Sequence, residues 1–471
     1  MSAGLAGVWA GSKVSADELA RSAARWRRVR QRWGPSLTAW PRPRIRPRGE
    51  GRLSFVIWMA AWLTGEEGEM DLPPASSGVL QGMLVADLTQ ALAGPFLGML
   101  LGDLGADVVK VERPGSGDQS RGWGPPFAGS ESSYFMAVNR NKRSLTCDFG
   151  TVGGLGALRR LVERADVVLC NERRESTRAQ MGIDYDGLSQ RNPRVVYCSI
   201  TGFGTTGPYA GRPGYDIIAQ GMAGLMPITG GLDDPPMRFP ASIADLATAM
   251  YGLSAALAAL LARERTGRGQ YIDLSLVESQ AWWSVIQACA YLLDGRQPRK
   301  LGNDHQSIVP YGAFRAQDGY LIIGCGSEAL WQKLCSLLAL EEMIQDPRYG
   351  SNRERVLRRE EVRQRVEERL AMRPVAEWCE MLQQKEIPCG PIYSVPEMLE
   401  DEQMRARGLI MEQEHPAAGI LRTLACPIHL SETPASYRLP PPLLGQHTDQ
   451  VLAELGYSAE EVAHLRATRA V

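Results

Sequence analysis

Few residues in this sequence are placed to do chemistry, and the best placed is a carboxylate. Asp245 stands three residues after Ser242 in Pro240-Ala241-Ser242-Ile243-Ala244-Asp245, at the start of a long apolar run that reads as a helix. With Ser242 as N-cap, Asp245 completes a capping box, and the helix dipole is expected to keep it ionised. A lone Asp in this place ordinarily serves the helix. The same place suits a nucleophile. A carboxylate with a reference pKa of about 3.9 needs no general base at neutral pH, and nearby N–H groups can hold an oxyanion. Tyr215-Asp216 follows Arg212-Pro213-Gly214 just before another predicted helix. Asp216 reads as an N-cap there, and the Tyr215 hydroxyl can reach a substrate carbonyl.

Other residues are suited to anions. Arg113 follows a predicted strand and heads Pro114-Gly115-Ser116-Gly117-Asp118. Asn171 follows another. Asn139-Arg140-Asn141-Lys142-Arg143 reads as a basic loop before a strand at 144–147, where Lys142 and Arg143 can meet phosphates. A solvated surface loop is the plain alternative. Gly202-Phe203-Gly204-Thr205-Thr206-Gly207 matches the glycine pattern of dinucleotide sites. However, Pro208, Pro213 and Gly214 leave no room for a helix opening on the third glycine, and the acidic partner expected about 20 residues on is missing. A tight turn lining a site is the better reading.

The elements that must position these groups alternate. Strands are expected at 83–88, 108–111, 167–170 and 195–200, and helices from Gly94-Pro95 to Gly105 and over 154–163. That order predicts an α/β fold with a Rossmann-like parallel sheet, whose ligands sit beyond the C-terminal strand ends. A long helix runs from Ile243 to about Arg265, followed by a strand at 271–274. Residues 294–304 read as a linker, 310–325 as a hairpin turning at Asp318-Gly319, and Ser458 with Glu461 as a capping box.

With 471 residues, more than one domain is expected. The expected division is an N-terminal extension, 1–79, a large domain over 80–293 closed by 406–471, and a smaller α+β domain over 305–405. The extension is Arg-, Trp- and Pro-rich without a period and is expected to be disordered or to precede the true start, at Met70 or Met83. A mitochondrial-type presequence is the other reading of it. A net charge of −1 gives no sign of a nucleic-acid partner, and no membrane association is expected. Nine dispersed cysteines without C-x-x-C spacing point to a reducing cytoplasm, and five scattered histidines to no metal site.

Together these motifs resemble the class III CoA-transferases, the group that includes formyl-CoA transferase, carnitine CoA-transferase and the α-methylacyl-CoA racemases. The resemblance spans 83–471. It is carried by Leu92-Ala93-Gly94-Pro95, the run Leu104 to Glu112, Asn139 to Ser144, Ser199 to Gly204, Gly214-Tyr215-Asp216, Thr266 to Gln270, Ile387 to Pro391 and Leu443 to Asp449. It implies an interlinked-ring homodimer, coenzyme A thioesters as substrates with no permanently bound cofactor, and CoA contacts from Arg113, Asn171, Lys142, Arg143 and Asp216. It also implies that Asp245 attacks an acyl-CoA to form an anhydride and then an aspartyl-CoA thioester, from which a carboxylic acid collects the CoA. Succinyl-CoA is a candidate donor.

The racemases carry a His where this sequence has Tyr215, and a phenol with a reference pKa of about 10 carries protons poorly at neutral pH. An epimerase is therefore the alternative activity, and a CoA-binding paralogue without turnover the third reading. This sequence departs from the family pattern at Asn171-Glu172-Arg173-Arg174-Glu175, which lacks the usual aromatic residue and Pro-Gly turn. Leu92 replaces a Gln of formyl-CoA transferase and Gln446 the usual Glu, and no glycine-rich lid precedes Pro310. Formyl or oxalyl transfer is disfavoured.

Overall fold

A computed structural model describes residues 78–471. The expected extension lies outside the described residues except for Gly78 and Val79. Six parallel strands form the central sheet: β1 (Leu84–Leu88), β2 (Asp107–Glu112), β3 (Lys142–Thr146), β4 (Val167–Cys170), β5 (Val196–Thr201) and β6 (Tyr271–Ser275). Their order is β3-β2-β1-β4-β5-β6. The chain thus reverses direction between β1 and β4, and a crevice opens beyond their C-terminal ends.

Both faces of the sheet are covered, and the strands other than the edge strand β6 are buried almost throughout. On one face lie α1 (Ala93–Asp103) and α3 (Ile243–Thr266), with the shorter α2 (Asp216–Met222) beside them. The small residues Ala244, Ala249, Ala256 and Ala259 on α3 are fully buried. At Gly252 an added Cβ would lie 2.8 Å from Leu97 of α1, so the helices approach closely here only because a side chain is missing. By length and composition α3 could cross a membrane, but half of its most apolar window is buried within the protein. The other face packs the helix Val152–Arg164 together with Val451, Leu452 and Leu465 from the chain's C-terminal end.

A separate apolar core, including Phe314, Trp331, Val366 and Leu382, is built between Val309 and Ile387. Its three-stranded antiparallel sheet joins β7 (Tyr311–Arg315), β8 (Tyr320–Gly324) and β9 (Cys389–Pro391). β7 and β8 turn at Asp318-Gly319, as their spacing implied. A hairpin of β10 (Ile410–His415) and β11 (Gly419–Leu424) follows. The Ser458–Glu461 capping box forms.

The basic run 139–143 is a loop only as far as Asn141. Lys142 and Arg143 are strand residues, and their partners are the protein's own carboxylates. Lys142 Nζ lies 2.8 Å from Asp87, with both side chains fully buried, and also donates to Pro95 O and Asn139 Oδ1. Burial opposes ionisation of Asp87, yet Lys142 and Lys110 outweigh it and hold its carboxyl at about 2. Arg143 straps β2 to the C-terminal helices, bonding Asp107 at 2.6 Å and Glu454 at 2.7 Å. The expectation that these two side chains contact CoA is therefore corrected: neither lines the crevice, and each is engaged inside the protein.

Candidate active site

The crevice at the ends of β1 and β4 is a cleft of about 1010 Å³. Asp245, Tyr215, Asp216, Arg113 and Asn171 all line it. A close backbone approach brings Tyr215 there. Gly202, just after β5, packs on Gly214, where an added Cβ would sit 2.8 Å from the Gly214 Cα. This contact lays Arg212 to Tyr215 across the strand end. The glycine run then turns through left-handed Gly204 and Gly207 instead of opening a helix, which removes the dinucleotide reading.

Asp245 sits in the first turn of α3, but the expected capping box does not form: the Ser242 side chain makes no cap hydrogen bond. Asp216 does that work from another helix. Its Oδ1 accepts from Ala244 N at 2.9 Å and its Oδ2 from Gln220 Nε2 at 2.7 Å. Asp216 is not the N-cap of its own helix, a position held by Tyr215. Both Asp216 oxygens thus accept hydrogen bonds from within the protein, and the residue is largely buried at the cleft wall.

The consequence falls on Asp245. Burial and the nearby Asp216 carboxylate raise its carboxyl to about 7, against a hydrogen bond from Ala93 N–H that favours the anion. The helix dipole alone therefore does not keep it ionised. A desolvated carboxylate of this kind is more nucleophilic than an exposed one.

Tyr215 is more than half exposed on the cleft wall. Tyr134, which the sequence did not single out, lines the cleft as well, and burial first, then the nearby Asp245 carboxylate, disfavour its phenolate. Asn171 donates to Gln90 O at 3.0 Å and ties the ends of β1 and β4 together. Arg113 is exposed at the rim. Three further arginines line the cleft: Arg173, Arg212 and Arg238. Arg212 stands next to the Pro-Gly of its motif and Arg173 lies in the altered loop after Asn171, so both were findable. Arg238 lies in irregular chain with no signal around it. Gln90 faces the cleft two residues before Leu92, which also lines it.

A half-buried carboxylate in a cleft lined by four arginines suits acyl transfer from an anionic thioester. Residues 80–448 match the sequence profile of CoA-transferase family III. The chain belongs to that family. Among relatives of this transferase, a succinate–glutarate CoA-transferase of Agrobacterium fabrum is 42% identical over 80% of this chain and 95% of its own length. The succinyl-CoA:glutarate CoA-transferase of Homo sapiens is 39% identical over 80% of this chain and 86% of its own. A crystal structure of a CAIB/BAIF family protein from Brucella suis superposes with a TM-score of 0.72 at 40% identity, covering 81% of this chain and all of that one.

The Asp216–Asp245 pair makes a prediction. kcat/KM should fall on the acid side with a midpoint near 7. Asp216→Asn keeps an acceptor for Ala244 N–H but removes the negative charge, so the midpoint should move to lower pH. A pH–rate profile that moves upward or stays put would remove the role given to Asp216.

Proposed function

We propose that this transferase moves CoA from succinyl-CoA to a dicarboxylic acid, with Asp245 as the nucleophile. The observation that carries the reading is the placement of Asp245, half-buried in the first turn of α3 and facing a cleft lined by four arginines.

An Asp245 oxygen attacks the thioester carbonyl carbon. The C–S bond breaks, CoA leaves as thiolate, and an acyl anhydride forms on Asp245. The thiolate then attacks the Asp245 Cγ, the donor leaves as its carboxylate, and an aspartyl-CoA thioester remains. The acceptor carboxylate attacks Cγ and displaces the thiolate, giving a second anhydride. The thiolate attacks the acceptor acyl carbon, which yields the new acyl-CoA and restores Asp245. No proton or electron need be supplied, so the scheme needs no resident cofactor. The phenol of Tyr215 suits a hydrogen bond to the developing oxyanion and not α-proton transfer.

The substrate class follows from the arginines. CoA carries phosphates, and a dicarboxylic acyl group adds a carboxylate that needs a cation of its own. The relatives named above are called CoA-transferases of succinate or succinyl-CoA and glutarate, and both acids have this second carboxylate. The assembly in this reading is an interlinked homodimer. Support comes from a run of exposed apolar side chains after β6, Trp282, Trp283, Ile286, Leu292 and Leu293, and from exposed Ile217 and Ile218. Nine unpaired cysteines support a cytoplasmic setting.

The test is a panel of CoA donors crossed with acids, read by mass spectrometry. Glutarate and succinate should exceed valerate and butyrate as acceptors by about a hundredfold or more in kcat/KM, because a cation left unpaired in the cleft opposes the monoacids. Equal rates for valerate and glutarate would reject the dicarboxylate reading.

A further inference from the structure

The cleft runs over the strand ends from one face of the sheet to the other. Phe149, Leu155 and Met181 line it and pack on the core beneath the helix Val152–Arg164. Asp245 lines it from α3, whose Ala244 belongs to the core of the opposite face. The four arginines divide along the same length. Arg173 leaves β4 just before the helix Glu175–Met181, so it stands with the first group. Arg113, exposed after β2, stands at the rim. Arg212 and Arg238 lie on the segments that lead into α2 and α3, the helix of the nucleophile.

Of these last two, Arg212 is engaged by an aromatic ring: its guanidinium carbon lies 4.0 Å from the Tyr209 centroid. Arg238 is open. Its Nη2 donates to Pro240 O at 2.6 Å, while Nε and Nη1 have no partner among the described residues. That bond folds the side chain along the segment that runs into the Asp245 turn.

The segment itself is held by buried side chains. Gln220 of α2 is fully buried. Its Oε1 accepts from Phe239 N at 2.8 Å, and its Nε2 donates to Asp216 Oδ2. Asp216 Oδ1 in turn accepts from Ala244 N. Phe239 follows Arg238 in the chain, and Ala244 precedes Asp245. One hydrogen-bonded chain therefore joins the neighbour of the cation to the neighbour of the carboxylate. Farther up the loop, the buried Lys300 donates to Asp234 O and Pro235 O, both at 2.6 Å. An exposed arginine on an irregular segment is thus kept at a fixed place relative to Asp245.

We propose that Arg238 is the specificity-determining residue that takes the distal carboxylate of the dicarboxylic acyl group carried on Asp245. This rests on Asp245 as the nucleophile and on a dicarboxylic substrate. A guanidinium with nitrogens to spare suits a carboxylate better than a point charge does. A monoacid leaves that cation unpaired, which opposes its use. Arg113 and Arg173 are left for the phosphates of CoA.

The experiment measures kcat/KM for glutarate and valerate, with succinyl-CoA as donor, in the wild type, Arg238→Gln and Arg212→Gln. The two acids differ only at the distal end. Each reacts with the aspartyl-CoA enzyme already formed, so its kcat/KM does not depend on how well a variant uses the donor. Arg238→Gln should cut the glutarate-to-valerate ratio from about 100 to below about 5, with the loss falling on glutarate. Arg212→Gln should keep the ratio within about threefold of the wild type. In Arg238→Gln the preference for succinyl-CoA over butyryl-CoA should fall as well, because donor and acceptor acyl groups form their anhydrides on the same carboxylate.

Arg238 is exposed, and its bond within the described residues is to a backbone carbonyl two positions away, so the substitution spares the fold. A ratio in Arg238→Gln within about threefold of the wild type would overturn the proposal, as would an equal fall of the ratio in Arg212→Gln. The reading beneath it fails differently. A wild type that does not distinguish glutarate from valerate removes the dicarboxylic substrate and Arg238 with it. A wild-type preference that survives in Arg238→Gln removes only the role of Arg238.

Discussion

Asp245→Asn is expected to abolish transfer and, at the same time, to stabilise the fold at alkaline pH. The loss of activity should be at least about a thousandfold, since an amide oxygen does not replace a carboxylate as nucleophile. The gain in stability follows from the raised Asp245 carboxyl. The folded chain holds that proton more tightly than the unfolded chain, whose value is 3.8, so the group does not penalise folding below about pH 4. As pH rises from there through about 7, the folded state must accept a desolvated anion beside Asp216, and stability is lost. Asparagine carries no such charge. At pH 8 the variant should unfold about 2 kcal/mol later than the wild type, a figure reduced from the full shift for solvent in the open cleft. At pH 4.5 the difference should shrink below about 1 kcal/mol. Urea unfolding at the two pH values checks this. A variant less stable than the wild type at pH 8 would mean that Asp245 holds the fold together instead of straining it.

Lys142→Met should give the opposite pattern. It leaves Asp87 buried with only part of its compensation, and breaking such a pair costs about 3–5 kcal/mol. Substrate contacts are untouched, because Lys142 Nζ is spent on Asp87, Pro95 O and Asn139. The midpoint of denaturation should fall sharply while KM for acyl-CoA in the remaining folded enzyme stays within about twofold of the wild type. A large rise in KM with unchanged stability would restore Lys142 as a CoA ligand.

The contrast between these two residues shows what was legible in the sequence. Apolar runs and helix signals located the six sheet strands to within one residue, except β3, which starts two residues earlier than expected, at a Lys and an Arg. A charged pair at the start of a run reads as a loop when its partners are unknown, and Asp87 and Asp107 lie on other strands. Asp245 was visible because a local signal, a polar residue before a long apolar helix, coincided with family spacing. The real cap was not visible: Asp216 reaches Ala244 across 28 positions, and only the packing of α2 on α3 makes that contact. Burial, together with that same non-local Asp216, raises the Asp245 carboxyl well above the range its helix position implied. Arg238 and Tyr134 escaped for a similar reason, since loops that converge on a strand end leave no periodic trace.

The central claim is that acyl groups and CoA pass through a covalent bond to Asp245. Its most direct measurement is a quench of the working enzyme with hydroxylamine in the presence of succinyl-CoA, followed by peptide mass spectrometry. The account predicts a hydroxamate on Asp245, dependent on acyl-CoA and absent from Asp245→Asn. Turnover with an unmodified Asp245, or a hydroxamate on another residue, would contradict it.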